Sequence, residues 1–145
     1  MKWQTLAVLV AVLGVAPTAQ ATQVRLYGGV NFWMQPNDII FDGGVMVGAP
    51  LSRDLDLGFR GGVFINTDHN ALGIPLDAYL HFDVRKTPLY FELFAGPWIS
   101  LAGGDTFRAH VGGGFGVRFG ALSLGIEAAY LQPWSLLGAR LSISL

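Results

Sequence analysis

The chain has 145 residues and a formal net charge of −1, which is enough length for one domain and leaves no basic face for a nucleic acid. Charged residues make up 13% of the chain, about half of the ~25% that is usual in soluble domains, while 52% are hydrophobic and 20 are glycine. This composition disfavours a soluble globule. The absence of cysteine excludes disulfide bonds, Cys-ligated metals, Cys nucleophiles and a lipidated N-terminal cysteine.

Residues 1–21 have the organisation of a secretory signal peptide. Lys2 supplies the positive start, Leu6–Val15 is the apolar core, and Pro17 interrupts it. Ala19–Ala21 (AQA) then matches the small-x-small pattern of a cleavage site. The apolar run is shorter than the ~20 residues of a helical membrane span, so we expect a cleaved leader and not an anchor.

The remaining residues, 22–145, are predicted to form one domain in which apolar side chains recur at every second position. This period indicates β-strands with one apolar face. Eight such segments of about ten residues fit the ~9–11 residues of a tilted strand that crosses a membrane. In chain order, the segments run over Val24–Phe32, Phe41–Ala49, Leu55–Ile65, Ile74–Val84, Leu89–Ile99, Phe107–Phe119, Leu122–Ala128 and Leu137–Leu145.

Clusters of turn-forming residues separate the segments, and all of the predicted connections are short. They fall into two alternating sets, one at 35–38, 66–73, 102–105 and 132–135, the other at 50–54, 86–88 and 120–121. With an N-terminus in the periplasm, the first set is extracellular and the second periplasmic. An even strand number returns the C-terminus to the periplasmic side.

Within the segments, every charged residue lies on the face opposite the apolar one. An eight-stranded barrel has interior room for little more than side chains, so the bulky apolar set must face outward, towards lipid. Closure is required because hydrocarbon leaves no partner for an open strand edge. Phenylalanines near both ends of the segments fit two aromatic girdles. The predicted interior residues are Arg25, Asp42, Asp56, Arg60, Asp77, His81, Asp83, Arg85, Glu92, Arg108, His110, Arg118, Glu127 and Arg140.

These interior residues include six carboxylates and six arginines, which allows a balanced network. Two interpretations remain open: a structural salt-bridge plug, which we favour, and a path for ions or protons. Isolated charges in a narrow lumen are very costly, whereas paired charges are tolerated. The cross-strand pairs predicted from symmetric hairpins are Glu127–Arg140, His81–Glu92 and Asn31–Asp42.

No catalytic residue, cofactor or metal is predicted. The glycine-rich run Val111–Gly120 lacks the spacing of a phosphate-binding loop, and its glycines suit a bent strand with aromatic neighbours that cover them. His69, which is expected in a loop, does not combine with His81 and His110 into a metal-binding spacing. The lipid-facing surface offers no nucleophile or base at mid-strand. Pro97 lies on that surface, where its missing N–H suggests a bulge at Gly96–Pro97.

As a pattern over residues 22–145, the chain resembles the small eight-stranded outer-membrane barrels of the OmpA/OmpX type. Its last segment, Leu137–Leu145, resembles their C-terminal sorting strand, although the family usually ends in an aromatic residue. The resemblance implies a monomer in the bacterial outer membrane that contacts lipid or lipopolysaccharide, and the barrel assembly machinery during biogenesis. It favours a non-enzymatic structural role. A narrow pore, a lipid-modifying enzyme and a soluble lipocalin-like binder are the alternatives.

Overall fold

The computed structural model describes residues 22–35, 37–68, 70–102 and 105–145. The predicted signal peptide and His69 lie outside these residues. The described part is all-β, and none of it forms a helix that is long and apolar enough to cross a membrane. The strands are β1 (Gln23–Trp33), β2 (Asp38–Ser52), β3 (Leu55–Asn66), β4 (Ala71–Asp83), β5 (Leu89–Ala102), β6 (Phe107–Phe119), β7 (Leu122–Leu131) and β8 (Trp134–Ser144).

The eight strands form a closed antiparallel barrel in which each strand pairs with the next one along the chain. The barrel closes through β1 and β8, which are paired from Arg25↔Ser144 to Trp33↔Leu136. The predicted fold class, strand number and strand order are therefore confirmed.

Three strands begin three residues earlier than the apolar pattern indicates, because backbone pairing continues beyond the predicted segments. β2 starts at Asp38, which is paired with Trp33, and β4 starts at Ala71, which is paired with Asn66. β8 starts at Trp134, opposite Leu131. Ladder hydrogen bonds need only the main chain, so pairing continues to the hairpin turns whatever the side chains are.

The two faces of the wall differ as the alternation predicts. Phe59, Leu93 and Leu124 lie on the outside and are 50–55% exposed, whereas Arg60 and Glu92, their sequence neighbours, are each 2% exposed. Arg60 follows Phe59 directly and Glu92 precedes Leu93 directly. Successive side chains of a strand point to opposite faces, so one member of each pair faces lipid and the other faces the interior. The exterior is consequently an apolar belt and the interior holds the charges.

Glycines allow β2 and β3 to approach each other closely. Gly44 and Gly62 are directly opposite in the ladder. A Cβ atom on Gly62 would lie 2.7 Å from the Cα of Gly44, and it would also overlap the carbonyl oxygen of Gly43. A side chain here would force the two strands apart, so this position requires glycine.

The predicted bulge at Gly96–Pro97 is wrong. β5 pairs regularly with β6 through Gly96↔His110 and Pro97↔Ala109. On its other side, the register with β4 is the same before and after Pro97, and the register shift lies instead at Leu72/Gly73. Pro97 removes an N–H donor without adding a residue, so it interrupts the ladder but does not change the register.

The apolar belt predicts a depth-dependent response to charge. We expect Leu93→Arg, in the middle of β5, to lower the free energy of unfolding by about 2–4 kcal/mol, since a cation at the bilayer midplane is poorly solvated. Leu101→Arg, at the end of the same strand, is the matched control and should cost about 0–1 kcal/mol. Denaturant unfolding in lipid vesicles measures both, and equal effects would contradict the lipid-facing assignment.

The close approach at Gly62 predicts a second difference. Gly62→Ala should destabilise the barrel by about 1–3 kcal/mol, because the added methyl group meets the main chain of β2. Gly28→Ala is the control, since a Cβ there has no atom nearer than 4.0 Å. Unfolding of both variants under the same conditions should show a loss for Gly62→Ala alone.

Candidate functional site

The barrel interior is the candidate site, and it has two ends. We call the end with the β2–β3, β4–β5 and β6–β7 connections the turn end, and the end with the other four connections the loop end. The middle of the interior and the turn end hold a network of charged side chains. The loop end holds an apolar cluster.

Arg60 lies at the centre of the charged network and is 2% exposed. Its Nε donates to Asp77 Oδ2 at 2.8 Å, and one terminal nitrogen donates to Glu127 Oε2 at 3.1 Å. Its guanidinium also lies over the ring of Phe94, 4.1 Å from the centroid. One buried cation thereby joins β3, β4 and β7, and its partners offset the cost of removing it from water.

Arg140 and Glu92 carry the network towards the turn end. Arg140 donates to Glu127 at 3.2 Å and also to Glu92. Glu92 in turn accepts from His81 Nδ1, at 2.9 Å. Arg25 lies 3.6 Å from Glu92. Two arginines from β1 and β8 therefore share one buried carboxylate of β5.

The network reaches solvent at the turn end. His81 Nε2 lies 3.3 Å from Asp83 Oδ1, and Arg118 lies 3.1 Å from the same oxygen. The side chain of Asp83 is 40% exposed and that of Arg118 is 31% exposed. Arg25 also lies 3.6 Å from Asp56 on this side. The buried ion pairs are thus continuous with a hydrated rim.

In the opposite direction the network ends at His110. Its Nδ1 lies 3.0 Å from Asp77 Oδ1, and both side chains are fully buried. The imidazole stacks on Phe94 with 5.0 Å between ring centroids and packs against Trp98 at 4.8 Å. Aromatic rings therefore separate the last charged pair from the loop end.

An apolar cluster fills the barrel at the loop end. The rings of Phe64 and Trp98 are stacked with 4.9 Å between centroids, and Trp33 Nε1 donates to the carbonyl of Leu131 at 3.1 Å. The six side chains of this cluster, each no more than 7% exposed, are Trp33, Ile40, Phe64, Trp98, Leu131 and Leu136. We call them the apolar seal. They close the loop end of the interior with tightly packed hydrocarbon.

A second apolar group lies among the charges in the middle of the barrel. It consists of Tyr27, Met46, Tyr79 and Phe94, which are 1–6% exposed. Phe94 belongs both to this group and to the surroundings of Arg60 and His110. Between them, the two apolar groups and the ion pairs occupy the bore along its length.

Not every predicted interior residue joins the network. Asp42 accepts a hydrogen bond from Asn31 Nδ2 at 2.7 Å, and it forms no ion pair with the described residues. Arg85 lies on the turn-end surface, where its side chain is 72% exposed and bonded to Asp54. Arg108 lies at the loop end, 3.1 Å from Asp105 and over the ring of Trp33.

Of the three predicted cross-strand pairs, His81–Glu92 is directly opposite in the ladder. The other two pairs are in contact but diagonal: Glu127 faces Gly138 and Asn31 faces Ile40. Each of these two hairpins turns one residue closer to its first strand, β1 or β7, than the sequence indicates, which shifts both registers by two residues. A shift of two keeps every side chain on its face, so the contacts survive although the predicted opposition is wrong.

Sequence reasoning missed the apolar seal and one polar pair above it. Asn66 Nδ2 donates to Asp38 Oδ2 at 3.0 Å, and both residues are buried. The signal was present, because Trp33, Ile40 and Leu136 are apolar residues on the charged parity at the ends of their strands. In the described parts of the chain, no group of three or more His, Asp or Glu side chains is arranged to hold a metal ion.

No family model and no curated protein matches the sequence. Solved structures do match. A de novo designed transmembrane β-barrel has a TM-score of 0.70 at 16% identity, covering 88% of this chain and 98% of the design. The solution NMR structure of the designed barrel TMB2.3 has a TM-score of 0.67 at 18% identity, covering 87% and 96%.

A crystal structure of Neisserial surface protein A (NspA) matches with a TM-score of 0.49 at 14% identity, covering 84% of this chain and 94% of that protein. At these identities the similarity concerns the fold alone, and the evidence for it comes from the two designed barrels. The chain has the fold of an eight-stranded transmembrane β-barrel.

The position of Arg60 predicts a large and specific effect on stability. Arg60→Met keeps much of the volume but leaves the carboxylates of Asp77 and Glu127 without this partner, so we expect a loss of about 3–5 kcal/mol. Arg85→Met removes an exposed arginine whose ion pair should contribute only about 0–1 kcal/mol. The temperature at which the folded band converts to the unfolded band on a gel should fall for Arg60→Met and stay unchanged for Arg85→Met.

Proposed function

We propose that the protein is a non-enzymatic integral barrel of the bacterial outer membrane with a structural role in envelope integrity. The observation that carries this proposal is the filled interior, in which buried ion pairs lie beneath the apolar seal. Such an interior stabilises a wall, and its described side chains stand in the way of a solute. The apolar belt on the exterior supports contact with membrane lipid or lipopolysaccharide.

The proposal extends to export and assembly. The signal-peptide pattern of residues 1–21 supports transfer to the periplasm, where the barrel assembly machinery would receive β8 as a sorting strand. A barrel that closes on itself through β1 and β8 needs no second copy to satisfy its strand edges, which supports a monomer.

The interior does not favour a narrow pore. An ion that entered at the turn end would meet the ion pairs of Arg60 and Arg140, and then the stacked rings of Phe64 and Trp98. Hydrophobic constrictions stop ion flow because water leaves them. The apolar seal thus acts as a barrier in series with the network.

The interior does not favour lipid chemistry either. His81 and His110 are 1% and 2% exposed and lie inside the wall, so neither can act as a base on a lipid at the outer surface. The exposed positions at mid-strand, such as Leu93, Phe115 and Leu124, have no reactive group.

Conductance separates the structural role from the pore. We expect the refolded protein, checked by its heat-dependent mobility on a gel, to give no stepwise currents in a planar bilayer. A general porin added to the same bilayer is the positive control. Reproducible unitary currents from the folded protein alone would establish the pore instead.

Loss of the protein from its host provides the physiological readout. We expect deletion to raise sensitivity to detergent and EDTA, and expression of the wild-type chain to restore resistance, while lipid A masses stay unchanged. A changed lipid A mass that depends on the protein would support an enzyme. Normal resistance in the deletion strain would contradict the structural role.

A further inference from the structure

Two turns at the turn end are bonded into one unit. They are the β2–β3 turn with Arg53 and Asp54, and the β4–β5 turn that begins after Asp83. The Asp83 N–H donates to the carbonyl of Asp54 at 2.9 Å. Arg85 Nε donates to the Asp54 carboxylate at 2.6 Å. These two hydrogen bonds join Asp54 to Asp83 and Arg85 and hold both turns in a fixed relative position.

This unit carries an excess of positive charge. Arg53 and Lys86 are exposed, and neither forms an ion pair with any other described residue. Arg85 uses Nε for Asp54 while its side chain stays 72% exposed. The unit therefore holds three cations, Arg53, Arg85 and Lys86, and one carboxylate, that of Asp54. The charge of the neighbouring Asp83 is balanced by Arg118, to which it is bonded.

The loop end has the opposite charge. Its described residues include three carboxylates, Asp38, Asp68 and Asp105, and one arginine, Arg108, which is bonded to Asp105. The chain as a whole is nearly neutral, with a net charge of −1, so the difference between the ends reflects placement and not composition. An anionic ligand is attracted to one end of the barrel only.

The apolar belt reaches the edge of this basic unit. Leu51, two residues before Arg53, is 59% exposed on the outside of the wall. Phe82 on β4 and Phe91 on β5 face each other in the ladder and are 36% and 51% exposed. Exposed hydrocarbon directly beside the turns places their cations at the depth of lipid head groups.

We propose that the linked β2–β3 and β4–β5 turns bind the phosphate of an anionic phospholipid in the adjacent leaflet, through Arg53, Arg85 and Lys86. Arginine offers paired N–H donors to phosphate oxygens and lysine a mobile ammonium, so together they fit one head group. Acyl chains of the same molecule contact Leu51 and Phe91. Free phosphate offers the same oxygens but lacks this apolar contact. The inference rests on the membrane-spanning barrel and is independent of the structural role.

The test is a lipid titration of the folded protein in a nonionic micelle, with bound lipid counted by native mass spectrometry. Phosphatidylglycerol should bind in preference to phosphatidylcholine with the same acyl chains. The double variant Arg53→Gln/Lys86→Gln should weaken phosphatidylglycerol binding by about 30-fold, because each cation near an anionic head group contributes about fivefold in affinity and the two factors multiply. Arg53→Lys/Lys86→Arg keeps both charges and should retain the preference.

Two further arms separate the possible outcomes. Asp105→Asn raises the net charge without touching the turns, so a comparable gain in phosphatidylglycerol binding would reduce the effect to overall charge and overturn the site. Competition by inorganic phosphate as strong as by the lipid would overturn the lipid assignment, as would wild-type protein without lipid preference. Heat-dependent gel mobility confirms that each variant is folded, so a lost preference in a folded barrel contradicts this inference alone.

Discussion

The main-chain ladder between β1 and β8 is the interaction on which the rest of the structure depends. It runs from Arg25↔Ser144 to Trp33↔Leu136 and leaves no strand edge along the barrel wall. In hydrocarbon each unpaired backbone group costs several kcal/mol, so an open sheet of this sequence would not be stable in a membrane. Closure with only eight strands also sets the width of the bore.

The narrow bore explains why the interior charges are shared. Arg60 contacts both Asp77 and Glu127, and Arg140 contacts both Glu127 and Glu92. Each shared carboxylate links strands that are not neighbours in the wall, so the network braces the barrel across its interior. The apolar seal separates this network from the loop end, and the network reaches solvent at the turn end through Asp83 and Arg118.

Glycines and aromatic rings complement each other inside the wall. A Cβ on Gly125 would lie 2.6 Å from the hydroxyl oxygen of Tyr90, and Gly116 is covered by the same side chain. Tyr79 covers Gly58 in the same way, with its ring carbon Cζ 2.5 Å from where a Cβ would lie. The expectation that aromatic neighbours cover the glycines of Val111–Gly120 is met at Gly116 but is wrong at Gly112, Gly113 and Gly114, where a Cβ would meet aliphatic or main-chain atoms instead. Where strands approach closely, as at Gly112, the main chain of the neighbouring strand takes the place of a covering ring.

The sequence by itself determined the barrel, because a period of two with all charges on one parity admits only one arrangement in lipid. It also determined which face of each strand points inward, since parity survives a register error of two, as Glu127 and Arg140 show, although Arg85 lies beyond the end of β4 and on the surface. Only the tertiary structure decided which charges meet, because partners such as Arg60 and Glu127 lie across the bore on strands far apart in sequence. The same holds for the apolar seal, where side chains from six strands converge at one end of a closed bore.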